Sequence, residues 1–158
     1  IAVDAINAAT RPHHFLSIRK DGGNAAIVST QGNSDTHIIL RGGKEPNYDA
    51  IHIDKVSEEL KAANLPTKIM VDLSHANSRK DHNAQIEVGD VVAKQITNGD
   101  NRIIGVMIES HLISGRQDVK PDHELIYGQS ITDACLGWEN TVALIESLAK
   151  ASQLRKTN

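Results

Sequence analysis

Apolar residues recur along this chain in two alternating rhythms. Short runs of consecutive apolar and β-branched residues are followed by longer stretches in which they return every three or four positions. The first run covers residues 36–40 and is closed by Gly42 and Gly43; Asp49 then caps a predicted helix with Ile53, Val56, Leu60 and Ala63 on one face, stopped by Asn64 and Pro66. A second run, residues 68–74, leads into a helix from about Asp81 with Val88, Val91, Val92 and Ile96 inward, stopped at Asn98-Gly99. A third run spans 102–108. A fourth and weaker one, 129–132, precedes a helix from about Gly137 with Val142, Ile145, Leu148 and Ala149 inward. Near-continuous apolar strands alternating with amphipathic helices indicate an α/β fold, a parallel sheet covered by helices. One stretch breaks the rhythm: residues 15–19 and 25–30 flank Asp21-Gly22-Gly23-Asn24, strong chemistry for an antiparallel hairpin.

No low-complexity tract or linker divides the chain. The expected organisation is a single domain over 1–158: a helix over 1–10, an inserted hairpin over 13–31, and four βα units at 36–65, 67–99, 102–126 and 128–155.

Each run ends in a residue able to do chemistry: Arg41, His75, Glu109 and Asp133. Successive members are 34, 34 and 24 residues apart, one βα unit each. In a parallel βα series all strand C-termini share one edge, where ligands of open α/β sheets and of TIM barrels bind. One imidazole and two carboxylates suit a divalent ion of the Mn²⁺, Fe²⁺ or Zn²⁺ type better than Ca²⁺ or Mg²⁺. Arg41, followed by two glycines, offers a guanidinium fork beside open backbone amides, which suits a phosphate. Singly, each has a plainer reading. Asp133 could cap the last helix, His75 could be a satisfied core histidine and Arg41 a salt-bridge partner. Glu109, after a nearly apolar run, is harder to explain without a partner.

Composition narrows the classes. The 17 Lys and Arg are balanced by 20 Asp and Glu, giving a net charge of −3, so no basic surface for nucleic acid or an anionic membrane is expected. No apolar run approaches a membrane span, and no secretion signal is visible. Cys135 is the single cysteine, which excludes an internal disulfide and fits a reducing cytoplasm; a small buried hydrophobe early in the last helix is its expected role. The chain begins at Ile1 within a predicted helix, which reads as a fragment of a longer protein. The other seven histidines (His13, His14, His37, His52, His82, His111 and His123) are assigned no metal role, His111 being the one nearest the strand-end set.

The strings around the strand ends resemble a known family. Ile38-Ile39-Leu40-Arg41-Gly42-Gly43-Lys44, Asp72-Leu73-Ser74-His75-Ala76-Asn77-Ser78, Gly105-Val106-Met107-Ile108-Glu109-Ser110 and Ser130-Ile131-Thr132-Asp133-Ala134-Cys135 are similar to the class I 3-deoxy-D-arabino-heptulosonate 7-phosphate (DAHP) synthases of the microbial, feedback-regulated kind. The resemblance covers almost the whole chain, and is weakest in the loop 115–124 and after Ala149. It implies the C-terminal half, four βα units, of a TIM (β/α)8 barrel carrying an inserted hairpin. It further implies that His75, Glu109 and Asp133 are three of four ligands to one divalent metal ion, the fourth being a cysteine outside this chain. Arg41 would grip the phosphate of phosphoenolpyruvate. The implied reaction joins phosphoenolpyruvate to erythrose 4-phosphate with release of phosphate. The metal would act as Lewis acid, and proton transfers would fall to His75, Asp133 or metal-bound water. Phe15, Ser17 and Val28 match hairpin positions of an aromatic amino-acid effector site, and the family implies a cytoplasmic homo-oligomer, dimer or tetramer. Two alternatives remain: a 3-deoxy-octulosonate 8-phosphate synthase, which uses arabinose 5-phosphate, and a non-catalytic half-barrel serving assembly or effector binding.

Overall fold

The computed structural model describes residues 1–121 and 123–155; Asp122, in the 115–124 loop, and residues 156–158, at the end of the expected domain, lie outside the described residues. Helix α1 (Ala2–Ala9) precedes strands β1 (His14–Ile18) and β2 (Ala25–Ser29), which pair antiparallel with Phe15 opposite Val28 and Ser17 opposite Ala26. Then come β3 (Ile38–Leu40), α2 (Ala50–Ala62), β4 (Ile69–Asp72), α3 (Ala84–Thr97), β5 (Ile103–Met107), β6 (Ile113–Arg116), β7 (Gln129–Ser130) and α4 (Trp138–Gln153).

Strands β3, β4 and β5 form a parallel sheet in that order, with Leu40 beside Val71 and Val71 beside Val106. One face is packed: Ile38, Leu40, Ile69, Val71 and Ile103 are buried with Ile53 and Leu60 of α2 and Val88, Val92 and Ile96 of α3. Burying such side chains contributes roughly 1.5–3 kcal/mol each, so this layer fixes the strand ends relative to one another. The other face is more open, with Ile39 40% and Met107 36% exposed.

Local chemistry explains the helix limits. Asp49 accepts from the His52 backbone N–H at 3.0 Å as the N-cap of α2. At the other end Asn64 takes a left-handed conformation (φ 55°) that stops the helix. Helix α3 starts later than Asp81, because residues before it turn around His75: Arg79 and Lys80 both have positive φ, and the Lys80 N–H donates to the His75 carbonyl at 2.8 Å.

Three expectations need correction. The segment 102–126 is not a βα unit: β5 is followed by β6, and the described residues hold no helix between β5 and α4. Gly115 at φ 84° and a polar stretch without helical spacing give that segment no apolar face to bury. The fourth strand does not join the three-stranded sheet; β7 pairs with β6, and an isolated bridge between Ser110 and Leu136 ties the residues after β7 to the segment that follows β5. In α4 the inward face is Thr141, Leu144 and Ala151 with Leu148 beside them, whereas Ile145 is 50% exposed and Ala149 is exposed. Gly89 decides this: a Cβ there would come within 2.5 Å of Leu144 Cδ1, so its bare backbone leaves the space that Leu144 fills between α3 and α4.

Below the sheet, Arg102 donates to Asp100 at 2.9 and 2.7 Å and meets Asp54 at 2.7 Å. Burial pushes the Asp100 carboxyl up, but hydrogen bonds from Arg102 and its charge outweigh that and hold it below the usual range. A carboxylate depressed in the folded state stabilises the fold above its unfolded pKa of about 3.9, and that contribution disappears as pH falls through the lower folded value. The wild type is therefore expected to exceed Asp100→Asn in urea midpoint at neutral pH, with the gap closing below about pH 4. A gap that stays constant from neutral to acid pH would exclude this linkage.

Candidate metal and anion site

The register of the sheet brings the strand ends level. Asp72 of β4 lies beside Met107 of β5, and the Leu73 N–H donates to the Met107 carbonyl at 2.9 Å. His75 and Glu109 therefore emerge next to each other, and His75 Nε2 lies 3.6 Å from Glu109 Oε1. Asp133 arrives from the other direction. Leu136 donates its N–H to the Glu109 carbonyl at 2.9 Å and accepts from the His111 N–H at 2.9 Å, which pins residues 133–136 against the end of β5. His75, Glu109 and Asp133 each offer a ligand atom, all within 4.8 Å of one another. They line a cavity of about 40 Å³ together with Lys80, His82 and Gln85.

His75 is held in an unusual backbone state, φ 50°, which a non-glycine residue adopts only where its surroundings impose it. Its ring Nδ1 donates to Asp72 Oδ2 at 2.7 Å, and the other Asp72 oxygen accepts from the Ser74 N–H at 2.8 Å. Ser74 Oγ also lies 2.8 Å from Nδ1, so Nδ1 is the ring nitrogen engaged by the protein, while Nε2 faces Glu109. That is the arrangement of a metal-binding histidine oriented by a carboxylate.

The donor set passes a simple test of fit. Ligand distances of about 2.0–2.2 Å place two atoms on one ion at most roughly 4 Å apart. The observed spread, within 4.8 Å, is close to that limit.

Arg41 is exposed at the end of β3 and does not line the cavity; it has no ion-pair partner among the described residues. Its loop is nonetheless tied to the His75 loop. Buried Asn77 donates to the Leu40 carbonyl at 3.1 Å and to the Asp72 carbonyl at 2.7 Å, and its oxygen accepts from the Asn47 N–H at 2.8 Å. Asn47 in turn accepts from the Gly42 N–H at 2.7 Å.

Other expected roles are revised. Asp133 is no helix cap, since α4 is capped at Gly137. Cys135 precedes α4 rather than lying in it and is only half-buried. Burial raises the pKa of its thiol; a hydrogen bond to Ser130 opposes this, and the charges of Glu109 and Asp133 add to the rise. A thiol kept protonated is a poor ligand. Phe15, Ser17 and Val28 share one face of the β1–β2 sheet, the other presenting exposed Leu16, Ile18 and Ile27.

Sequence reasoning missed Asp72, Lys80, His82 and Gln85. A signal existed for two of them: Asp72 precedes His75 by three residues at a strand end, and Gln85 interrupts the apolar face that continues through Val88, Val92 and Ile96. Lys80 and His82 sit in a non-periodic loop, and His82 Nε2 is 3.1 Å from Ser114 Oγ.

The fold and site thus define an α/β protein with a preorganised His-Glu-Asp cluster at the mouth of a parallel sheet. Residues 1–146 match the DAHP synthetase I family, and the chain belongs to that family. It is 54% identical over 156 residues to the Phe-sensitive phospho-2-dehydro-3-deoxyheptonate aldolase of Escherichia coli (strain K12), covering 99% of this chain and 44% of that protein. Against the tyrosine-inhibited enzyme of Schizosaccharomyces pombe the identity is 52% over 163 residues, covering 100% and 44%. Against the Trp-sensitive enzyme of E. coli K12 it is 48% over 155 residues, covering 98% and 44%. A solved phospho-2-dehydro-3-deoxyheptonate aldolase from Francisella tularensis SCHU S4 superposes with a TM-score of 0.90 at 49% identity, covering 99% of this chain and 45% of that one. The chain spans less than half the length of these relatives. Among the described residues no helix is long and apolar enough to cross a membrane.

Proposed function

We propose that this chain is the C-terminal half of a (β/α)8 barrel with an inserted hairpin, and that the whole protein is a DAHP synthase condensing phosphoenolpyruvate with erythrose 4-phosphate. The observation that carries the reading is the convergence of His75, Glu109 and Asp133 on one small cavity, in a chain of this family. The half-barrel reading is supported by a sheet with helices packed on one face and apolar residues open on the other.

His75, Glu109 and Asp133 would hold one divalent ion, of the Mn²⁺, Fe²⁺ or Zn²⁺ type. The chemistry such an ion supplies when bound is Lewis acidity toward an aldehyde oxygen. In the reaction a C–C bond forms between the enol carbon of phosphoenolpyruvate and the aldehyde carbon. Water adds at the adjacent carbon, and phosphate leaves by C–O cleavage. Arg41 takes the phosphate of phosphoenolpyruvate through its guanidinium fork alone, because the amides expected to be open are engaged, the Gly42 N–H donating to Asn47 at 2.7 Å and the Gly43 N–H to the Glu45 carbonyl at 3.1 Å. Asp72 engages His75 Nδ1, which leaves Nε2 as the ring nitrogen that would ligate the ion beside Glu109. The Asp133 carboxylate, exposed and without a hydrogen bond among the described residues, is the group available to receive a proton.

Phe15, Ser17 and Val28 would contribute to an aromatic amino-acid effector site, a reading supported by relatives named Phe-sensitive, tyrosine-inhibited and Trp-sensitive. A homo-oligomer is part of the same proposal, as is a cytoplasmic location.

The test uses the full-length protein carrying this sequence. Phosphoenolpyruvate should be consumed with erythrose 4-phosphate and not with arabinose 5-phosphate, and chelation should abolish the activity. Equal turnover with arabinose 5-phosphate would instead favour an octulosonate synthase. Absence of turnover with either sugar would overturn the synthase reading; the non-catalytic half-barrel concerns this chain in isolation, which is expected to be inactive.

A further inference from the structure

Gln85 is polar, yet it occupies the buried face of α3 and is 0% exposed. Its side-chain amide is spent almost wholly on one residue of another element. Oε1 accepts from the Glu109 backbone N–H at 2.9 Å, and Nε2 donates to the Glu109 carbonyl at 3.1 Å and to the His82 carbonyl at 3.2 Å. The same Glu109 carbonyl also accepts from the Leu136 N–H at 2.9 Å. A primary amide is the side chain that can present a donor and an acceptor side by side to the N–H and C=O of a single residue.

We propose that Gln85 is a positioning residue for the metal site, fixing the main chain of Glu109 so that its carboxylate points at His75 and Asp133. The inference rests on the metal-site reading above. Glu109 lies beyond the last residue of β5, so the three-stranded ladder ends before reaching it. Without the amide clamp its N–H would lose its partner, and its carbonyl would keep only Leu136. Glu109 would then be free to rotate about its backbone, and its carboxylate would leave the position 3.6 Å from His75 Nε2. The clamp also ties the His82 carbonyl to the same point, so the loop that carries His75 and Lys80 closes onto β5 through Gln85. A polar side chain interrupting an otherwise apolar helix face is a local inconsistency of the kind that functional sites impose.

The experiment compares wild type, Gln85→Leu, Gln85→Glu and Glu109→Ala in the full-length protein. It reads Mn²⁺ affinity, the visible ligand-field spectrum of the Co²⁺-substituted protein, and the melting temperature without metal. Gln85→Leu keeps the volume and removes all three hydrogen bonds; it should weaken Mn²⁺ binding about 10–100-fold and shift the Co²⁺ bands. Gln85→Glu keeps an acceptor for the Glu109 N–H and should fall between. Wild-type affinity and spectrum in both Gln85 variants, with only a lower melting temperature, would overturn the proposal by making Gln85 a core-filling residue. Failure of both variants to fold would overturn it in the same way. If wild type binds Mn²⁺ no better than Glu109→Ala, the metal-site reading itself fails, an outcome distinct from an inert Gln85.

Discussion

Replacing Glu109 with alanine in the full-length protein is expected to lower divalent-metal affinity at least about 100-fold, or roughly 2.8 kcal/mol, while leaving the fold intact. The cluster brings three ligand atoms within 4.8 Å, so losing one carboxylate removes both a bond and a negative charge that offsets the ion. The Glu109 backbone should stay in place, because Gln85 and Leu136 hold its N–H and carbonyl whatever its side chain. Only the carboxylate is lost, and at 26% exposure it is not part of the packed core. Metal content after purification and a Mn²⁺ titration measure the effect, with the melting temperature of the metal-free protein as control. Unchanged metal content would mean that the three side chains meet without a shared ion.

Gly42→Ala should produce the largest loss of stability among glycine substitutions at the strand ends. Gly42 has φ 78°, where a Cβ costs about 1–2 kcal/mol. That Cβ would also lie 2.7 Å from Ala76 Cβ and 2.9 Å from the Asn77 backbone N, neither of which is the flexible end of a side chain. Forcing the two loops apart adds roughly 1–3 kcal/mol. It would also strain the bridge in which Asn77 joins the ends of β3 and β4, so metal affinity should fall alongside stability. Gly43 supplies the internal control: a Cβ there meets nothing within 4 Å. Gly43→Ala is expected to be close to neutral in urea midpoint. Equal effects of the two substitutions would show that the contact between the loops carries no strain.

The two predictions differ in how visible their causes were beforehand. Glu109 was conspicuous as a carboxylate closing an apolar run, and parallel strands alone required it to share an edge with His75. Gly42 gave only a generic sign of a turn, because its need for a bare backbone comes from Ala76 and Asn77, more than 30 residues away. The same division separates the ends of α2 and α3. Asp49 capped α2 through a bond three residues away, a local interaction the sequence spells out. Helix α3 began later than its pattern indicated, because the preceding residues are bound to His75.

Periodicity and the chemistry of single residues were therefore enough to specify three parallel strands, the principal helices and the positions of Arg41, His75 and Glu109 just beyond the strand ends. These follow from interactions within one element or from the common direction of parallel strands. The pairing of β7 with β6, the choice of Leu144 over Ile145 as the inward residue of α4, and the service of Asp72 and Gln85 to their neighbours were decided only in three dimensions. Each depends on a contact or hydrogen bond between groups whose separation in sequence, or whose direction in space, no hydrophobic pattern records.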